Sequence, residues 1–177
     1  MLGGVHGRQP SDFTNWSFSA NTPMDPRQLS DDFRDFLISL NAAGVEYLLL
    51  GGHAVAHYGY VRPTTDLDIW VAVSEVNAEK LVTAIRSFFD ADLPGLEKGW
   101  FLDMENVTHF GARPNYIEIL PKVSGLEFRD AYQRALMVEL DGIPTRLIGL
   151  SDLLINKRAT GRTKDLADFE KLSKQRE

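Results

Sequence analysis

The 177-residue chain is long enough for one domain with a sizeable core, and its 44% hydrophobic and 25% charged residues are ordinary for a globular protein. It contains no cysteine, which excludes disulfides and thiolate metal sites, and no apolar run near the ~20 residues a membrane helix needs, so we expect a cytoplasmic protein. The net charge of -6 argues against broad nucleic-acid binding, which relies on Lys and Arg to neutralise phosphates, while leaving room for a local basic cleft.

Residues 1–24 read as a flexible N-terminal tail. Gly3-Gly4, Pro10, Ser11, Asn15 and Ser17 lie among isolated aromatics with no helical or strand period, and no apolar segment with a small-residue cleavage site marks a signal peptide. Met24 is a candidate second start. A single domain is expected over 25–177.

Within it, Leu29, Phe33, Phe36, Leu37 and Leu40 recur at helical spacing, stopped at Asn41 to Gly44. Val45 to Leu50 reads as a buried strand, and Gly51 to Tyr58 as a short helix ended by Gly59 and Pro63. Leu67, Ile69, Val71 and Val73 alternate as the inner face of a second strand, with a helix over Val76 to Phe89. Val107 to Phe110 and Tyr116 to Leu120 read as strands, and Glu127 to Arg134 as a helix. Asp141-Gly142 between Met137 to Leu140 and Ile143 to Ile148 is a hairpin signal. Ser151 is the expected cap of a helix to about Arg158, and beyond Gly161 a last helix carries Leu166, Phe169 and Leu172 on one face. Helices and strands mix without a strict βαβ repeat. The expected class is α+β, a mixed β-sheet with flanking helices.

Chemistry concentrates at a few positions. Asp66 and Asp68 are two residues apart on one strand and share a face, and carboxylates there repel unless a cation sits between them. Asp is depleted in strand interiors, so two alternating ones call for a reason beyond solvation. Glu118 interrupts the apolar run 116–120 and is the third candidate ligand. The Gly51-Gly52 pair either permits a tight turn or lets a phosphate approach the backbone. Paired carboxylates beside such a cradle suit Mg²⁺-assisted phosphoryl or nucleotidyl chemistry, with two ions clamping the attacking and leaving oxygens. His53 and His57 have zinc-ligand spacing, with His109 as a remote third, but no Glu lies between them. Strand alternation puts Trp70 on the Asp66/Asp68 face, where it is the one tryptophan placed to stack on a base.

These elements together resemble the DNA polymerase β-like nucleotidyltransferase superfamily, most closely its minimal members from toxin–antitoxin and abortive-infection systems. The likeness rests on Leu50-Gly51-Gly52, Arg62-Pro63-Thr64-Thr65-Asp66-Leu67-Asp68, Glu118, Lys157-Arg158 and Arg162-Thr163-Lys164-Asp165-Leu166-Ala167-Asp168, spanning about Val45 to Leu172. It implies a nucleotidyltransferase fold, a nucleoside triphosphate (NTP) donor and Mg²⁺, with Asp66, Asp68 and Glu118 as catalytic metal ligands. Gly51, Gly52 and His53 would face the donor phosphates, helped by Arg62 and Thr64 or Thr65, with Lys157 a phosphate-directed cation oriented by Asp165 or Asp168. It also implies a hydroxyl acceptor (an RNA end, a protein side chain or a small molecule) and a cognate toxin or antitoxin partner. Many active members carry Gly-Ser where this chain has Gly51-Gly52. A catalytically degenerate fold acting as a partner-binding module is therefore the alternative, and a glycosyltransferase with an Asp-x-Asp motif a more distant one.

Overall fold

The computed structural model describes residues 28–112 and 115–174. The expected tail, residues 1–24, lies outside them. The element order is α1 (Asp31–Ala42), β1 (Tyr47–Leu49), α2 (Gly51–His57), β2 (Asp66–Val71), α3 (Glu75–Phe89), a 3₁₀ turn (Lys98–Phe101), β3 (Thr108–Ala112), β4 (Asn115–Leu120), α4 (Phe128–Arg134), β5 (Leu136–Leu140), β6 (Ile143–Leu147), α5 (Leu150–Thr160) and α6 (Thr163–Lys174). No helix among the described residues is long and apolar enough to cross a membrane.

Six strands form one mixed sheet in the order β3-β4-β2-β1-β6-β5. The pairs β1/β2, β3/β4 and β5/β6 are antiparallel, whereas β1/β6 and β2/β4 are parallel. This is the expected α+β class. Tyr47, Leu48 and Leu49 are buried because β1 is central and covered on both faces. In β2 the even and odd positions separate: Leu67, Ile69 and Val71 enter the core, while Asp66, Asp68 and Trp70 share the opposite face.

Both long N-terminal helices begin at serine caps. Ser30 accepts from the backbone N–H of Phe33 and Ser74 from that of Asn77, satisfying donors that a first helical turn leaves open. Asn77 then fastens α3 to the sheet: its Oδ1 accepts from Glu46 N, and its Nδ2 donates to the carbonyls of Glu46 and Ala72. Phe36, Leu37 and Leu40 of α1 are fully buried, and each such side chain contributes about 1.5–3 kcal/mol through the water it sheds. Phe89 of α3 packs edge-on to Phe110 of β3, which places α3 over the apolar face of the sheet.

Two expectations change. Gly149, not Ser151, is the N-cap of α5, because the helix starts two residues earlier than the serine signal suggests. Trp70 lies on the face alternation assigns it, but α4 covers it: the ring is 1% exposed, meets Phe128 edge-on and donates from Nε1 to the Pro121 carbonyl. It offers no surface for a base.

Candidate active site

A cleft of about 730 Å³ opens between the polar face of the β2–β4–β3 sheet edge and the α5–α6 corner. One wall is acidic. The parallel β2/β4 register sets Asp68 directly across from Glu118, and the antiparallel β3/β4 register sets His109 across from Glu118 on the other side. Asp68, Glu118 and His109 thus form one row over three strands, with Asp66 and Tyr116 as the paired row above. His109 Nε2 lies 3.0 Å from Glu118 Oε1, and its ring leans on Tyr116 with centroids 5.7 Å apart.

The row is electrostatically loaded. The Asp68 carboxyl is pushed up to about 8, first because burial disfavours its charge, then through repulsion from Asp66 and Glu118 and a hydrogen bond to Glu118. Lys157 opposes that shift from across the cleft. Asp68 is therefore protonated at neutral pH. Among the described residues, no three His, Asp or Glu side chains stand close enough together to hold a metal ion as they lie.

The facing wall is basic, with Lys157 buried within it. Lys157, on α5, points its ammonium between two carboxylates of α6, 2.5 Å from Asp165 and 3.2 Å from Asp168. Asp165 and Asp168 are one helical turn apart and present the same side. Asp168 also takes a bidentate pair from Arg62, with Nε and Nη2 at 2.8 and 2.7 Å. Asp165 accepts from Thr160 and Arg162 as well. Burial pushes the Asp165 carboxyl up, but hydrogen bonds from Lys157, Thr160 and Arg162 outweigh it and hold the group below the usual Asp range. This network ties the loop before β2 to the last two helices, so both walls keep a fixed spacing.

Gly51 and Gly52 form the end of the cleft below β1. Each is shaped for a neighbour. A Cβ on Gly51 would stand 1.6 Å from Asp68 Oδ2, and one on Gly52 would stand 2.4 Å from Thr64 Oγ1. Gly51 also adopts a φ of 66°, in the left-handed region. The pair is thus required by the packing of two side chains, not only by a turn.

Of the residues singled out in the sequence, Gly51, Gly52, Arg62, Asp66, Asp68, Glu118, Lys157 and Asp165 line this one cleft. Three do not. His53 is 6% exposed and packs edge-on against Phe33, because its position on α2 faces α1 and the core. Burial lowers its imidazole to about 4, so it stays neutral, and Nε2 has no hydrogen-bond partner within the protein. Thr64 spends its side chain on covering Gly52, its hydroxyl 3.3 Å from the Arg62 carbonyl. Thr65 contributes its backbone carbonyl, which accepts from Tyr116 N and starts the β2/β4 pairing. His53, His57 and His109 do not converge, and the zinc spacing comes to nothing. His109 and Tyr116 are among the cleft residues missed in the sequence. The antiparallel β3/β4 pairing, from Ala112 opposite Asn115, brings His109 opposite Glu118.

The sequence matches no protein-family model and no curated protein significantly. Solved structures are similar. A candidate nucleotidyltransferase from Thermotoga maritima aligns with a TM-score of 0.50 at 16% identity, over 81% of this chain and 89% of that one. An antigenic nucleotidyltransferase-like protein from Paracoccidioides brasiliensis aligns with a TM-score of 0.48 at 16% identity, over 80% of this chain and 74% of that one. The chain therefore has a nucleotidyltransferase-type fold.

Proposed function

We propose that the protein is a Mg²⁺-dependent nucleotidyltransferase, moving a nucleoside monophosphate from an NTP to a hydroxyl acceptor. The observation that carries this reading is the pairing of opposite walls in one cleft: Asp66, Asp68 and Glu118 on the strands, with Lys157, Arg162 and Lys164 at the α5–α6 corner. A metal–triphosphate complex has the matching two-sided charge, cations on one side and phosphate oxygens on the other.

The acidic donor set fits a divalent cation in chemistry. Three oxygen ligands on adjacent strands suit Mg²⁺, and the proton that Asp68 retains marks burial and like-charge repulsion that a cation would offset. Asp66, Asp68 and Glu118 would hold it after their side chains turn inward. Bound there, Mg²⁺ would act as a Lewis acid on the phosphate and neutralise its charge. The chain's own groups do the rest. Gly51 and Gly52 leave space for phosphates, and the Lys157–Arg162–Lys164 side draws the triphosphate against the helices. Glu118 takes the acceptor's proton as its oxygen attacks the α-phosphorus. The bond from that phosphorus to the bridging oxygen breaks, and pyrophosphate leaves with the electron pair.

The test is calorimetric titration of ATP, GTP, CTP and UTP with and without Mg²⁺, on the wild type and on Asp68→Asn. We expect Mg²⁺-dependent binding of at least one NTP that the substitution abolishes. Binding that ignores both Mg²⁺ and the substitution would overturn the reading. A second reading draws on the side chains that do not yet converge on a metal position. It holds that the fold is a catalytically degenerate, partner-binding module, as within a toxin–antitoxin pair. No binding of any NTP would favour it.

A further inference from the structure

We infer that His109 is a positioning residue for the acceptor side of the transfer, holding Glu118 in place and forming with Tyr116 the lip over which the acceptor hydroxyl enters. The inference rests on the transferase reading above and deepens it.

Direction comes from the order of the strands. Transfer at phosphorus places attacking and leaving oxygens roughly in line, on opposite sides of the phosphorus. The glycine pair that leaves room for phosphates follows β1, at one side of the cleft. Moving across the sheet from β1, the next strands are β2 with Asp66 and Asp68, β4 with Glu118, and β3 with His109. Three strand spacings cover about 14 Å, enough for the phosphates at one end and an acceptor at the other. Pyrophosphate departing toward Gly51-Gly52 therefore requires an acceptor arriving over β4 and the edge strand β3. The side chains waiting there are His109 and Tyr116.

His109 is built to hold Glu118 from that side. The two residues are register partners, the imidazole lies 3.0 Å from the carboxylate, and both side chains keep partial access to the cleft, 45% and 24% exposed. With its hydrogen on Nε2, the ring donates to Glu118 Oε1 and turns Nδ1 outward as a hydrogen-bond acceptor. Glu118, which meets Asp68 through a hydrogen bond on one side, is thereby tethered at Oε1 from the β3 side as well, and Nδ1 offers the entering hydroxyl a second contact. The Tyr116 ring leans on the imidazole at an angle of 60°, so the pair forms a small angled aromatic lip beside Glu118 that an acceptor can contact as it enters.

The experiment compares wild type, His109→Ala and His109→Gln in three measurements: Kd for the MgNTP that the wild type binds, pyrophosphate release with water as acceptor, and melting temperature. Gln keeps an amide donor near the position of Nε2. We expect His109→Ala to leave the MgNTP Kd within about twofold while kcat for pyrophosphate release falls on the order of 10²-fold, the scale of a misplaced reacting group. His109→Gln should recover most of that loss, and neither variant should move the melting temperature by more than about 2 °C. A wild type that binds MgNTP but releases pyrophosphate no faster than His109→Ala overturns the inference and leaves the donor site standing. So does a loss of MgNTP affinity equal to the loss of rate. A wild type that binds no NTP removes the transferase reading itself.

Discussion

Gly51 and Asp68 share one volume: the carboxylate of Asp68 fills the space where a side chain on Gly51 would begin, 1.6 Å from the Cβ position. The contact couples the glycine turn to the acidic wall. Gly51→Ala would meet Asp68 and also take a non-glycine residue to a φ of 66°, a backbone cost of about 1–2 kcal/mol before any clash. We expect a melting temperature lowered by about 4 °C or more and a loss of Mg²⁺-dependent NTP binding. A variant with wild-type stability and binding would show that Asp68 can leave this position freely.

Gly52 and Thr64 make a second such pair, and here the cause can be separated by coupling. Gly52→Ala brings a Cβ within 2.4 Å of Thr64 Oγ1 and 2.6 Å of its Cγ2, atoms that Thr64→Ala deletes. Thr64 Cβ, at 3.1 Å, is then the nearest contact. The single glycine substitution should destabilise by roughly 1–3 kcal/mol through overpacking, and the double variant should regain most of it. Denaturant unfolding of the four chains measures the coupling; strictly additive losses would contradict it.

What the sequence can carry follows from which information is local. Period-two alternation is enough to place Asp66, Asp68 and Trp70 on one face, and serine caps and glycine stops locate most helices to within a residue or two. Whether that face is open or covered is not local. Trp70 is sealed by Phe128, which lies 58 positions further along the chain, whereas Asp68 is left facing the cleft. His53 fails for the same reason: its place just after the glycine pair suggests a phosphate contact, yet the side of α2 it occupies is decided by where α1 packs. The α6 pattern of Asp165 and Asp168 reads as a shared face, but their joint grip on Lys157 and the tie from Asp168 back to Arg62 depend on the α5–α6 corner closing.

Asp68 also sets a pH dependence in the metal-free protein. Its folded carboxyl, at about 8, lies above the ordinary value of 3.8, so the fold binds a proton there that the unfolded chain releases. A raised acid contributes stability that is fully present below the unfolded value and lost as pH rises through the folded one. Asp68→Asn removes this titration. Relative to wild type, the variant should gain stability progressively between pH 4 and pH 8 and melt higher by about 3 °C or more at pH 9 without Mg²⁺. Thermal melts across that window decide it. A difference independent of pH, or a wild type that is the more stable at pH 9, would mean that Asp68 is ionised in the free protein.

Lys157 tests whether the basic wall is a structural device in its own right. Its side chain is 6% exposed and its ammonium answers Asp165 and Asp168, which are themselves 4% and 1% exposed. Arg62 and Arg162 remain as partners for these acids, but each reaches only one: Arg62 holds Asp168 and Arg162 holds Asp165. Lys157→Met keeps the length of the side chain and deletes the charge that both carboxylates share. Removing one member of a buried ionic group typically costs 3–5 kcal/mol, because the charges left behind stay desolvated, and the two arginines should reduce this to about 2–3 kcal/mol. The loss should be greatest near neutral pH and shrink only as pH falls below the ordinary Asp value of 3.8 toward the lower folded value of Asp165, whose protonated carboxyl no longer requires the ammonium. Lys157→Met/Asp165→Asn should recover part of it by removing one of the stranded charges, which a screened surface pair would not do. Urea unfolding at pH 7 and at about pH 3 on the three chains gives the measurement. An unchanged midpoint in Lys157→Met would make the lysine dispensable to the fold and leave it as a cation held ready for ligand alone.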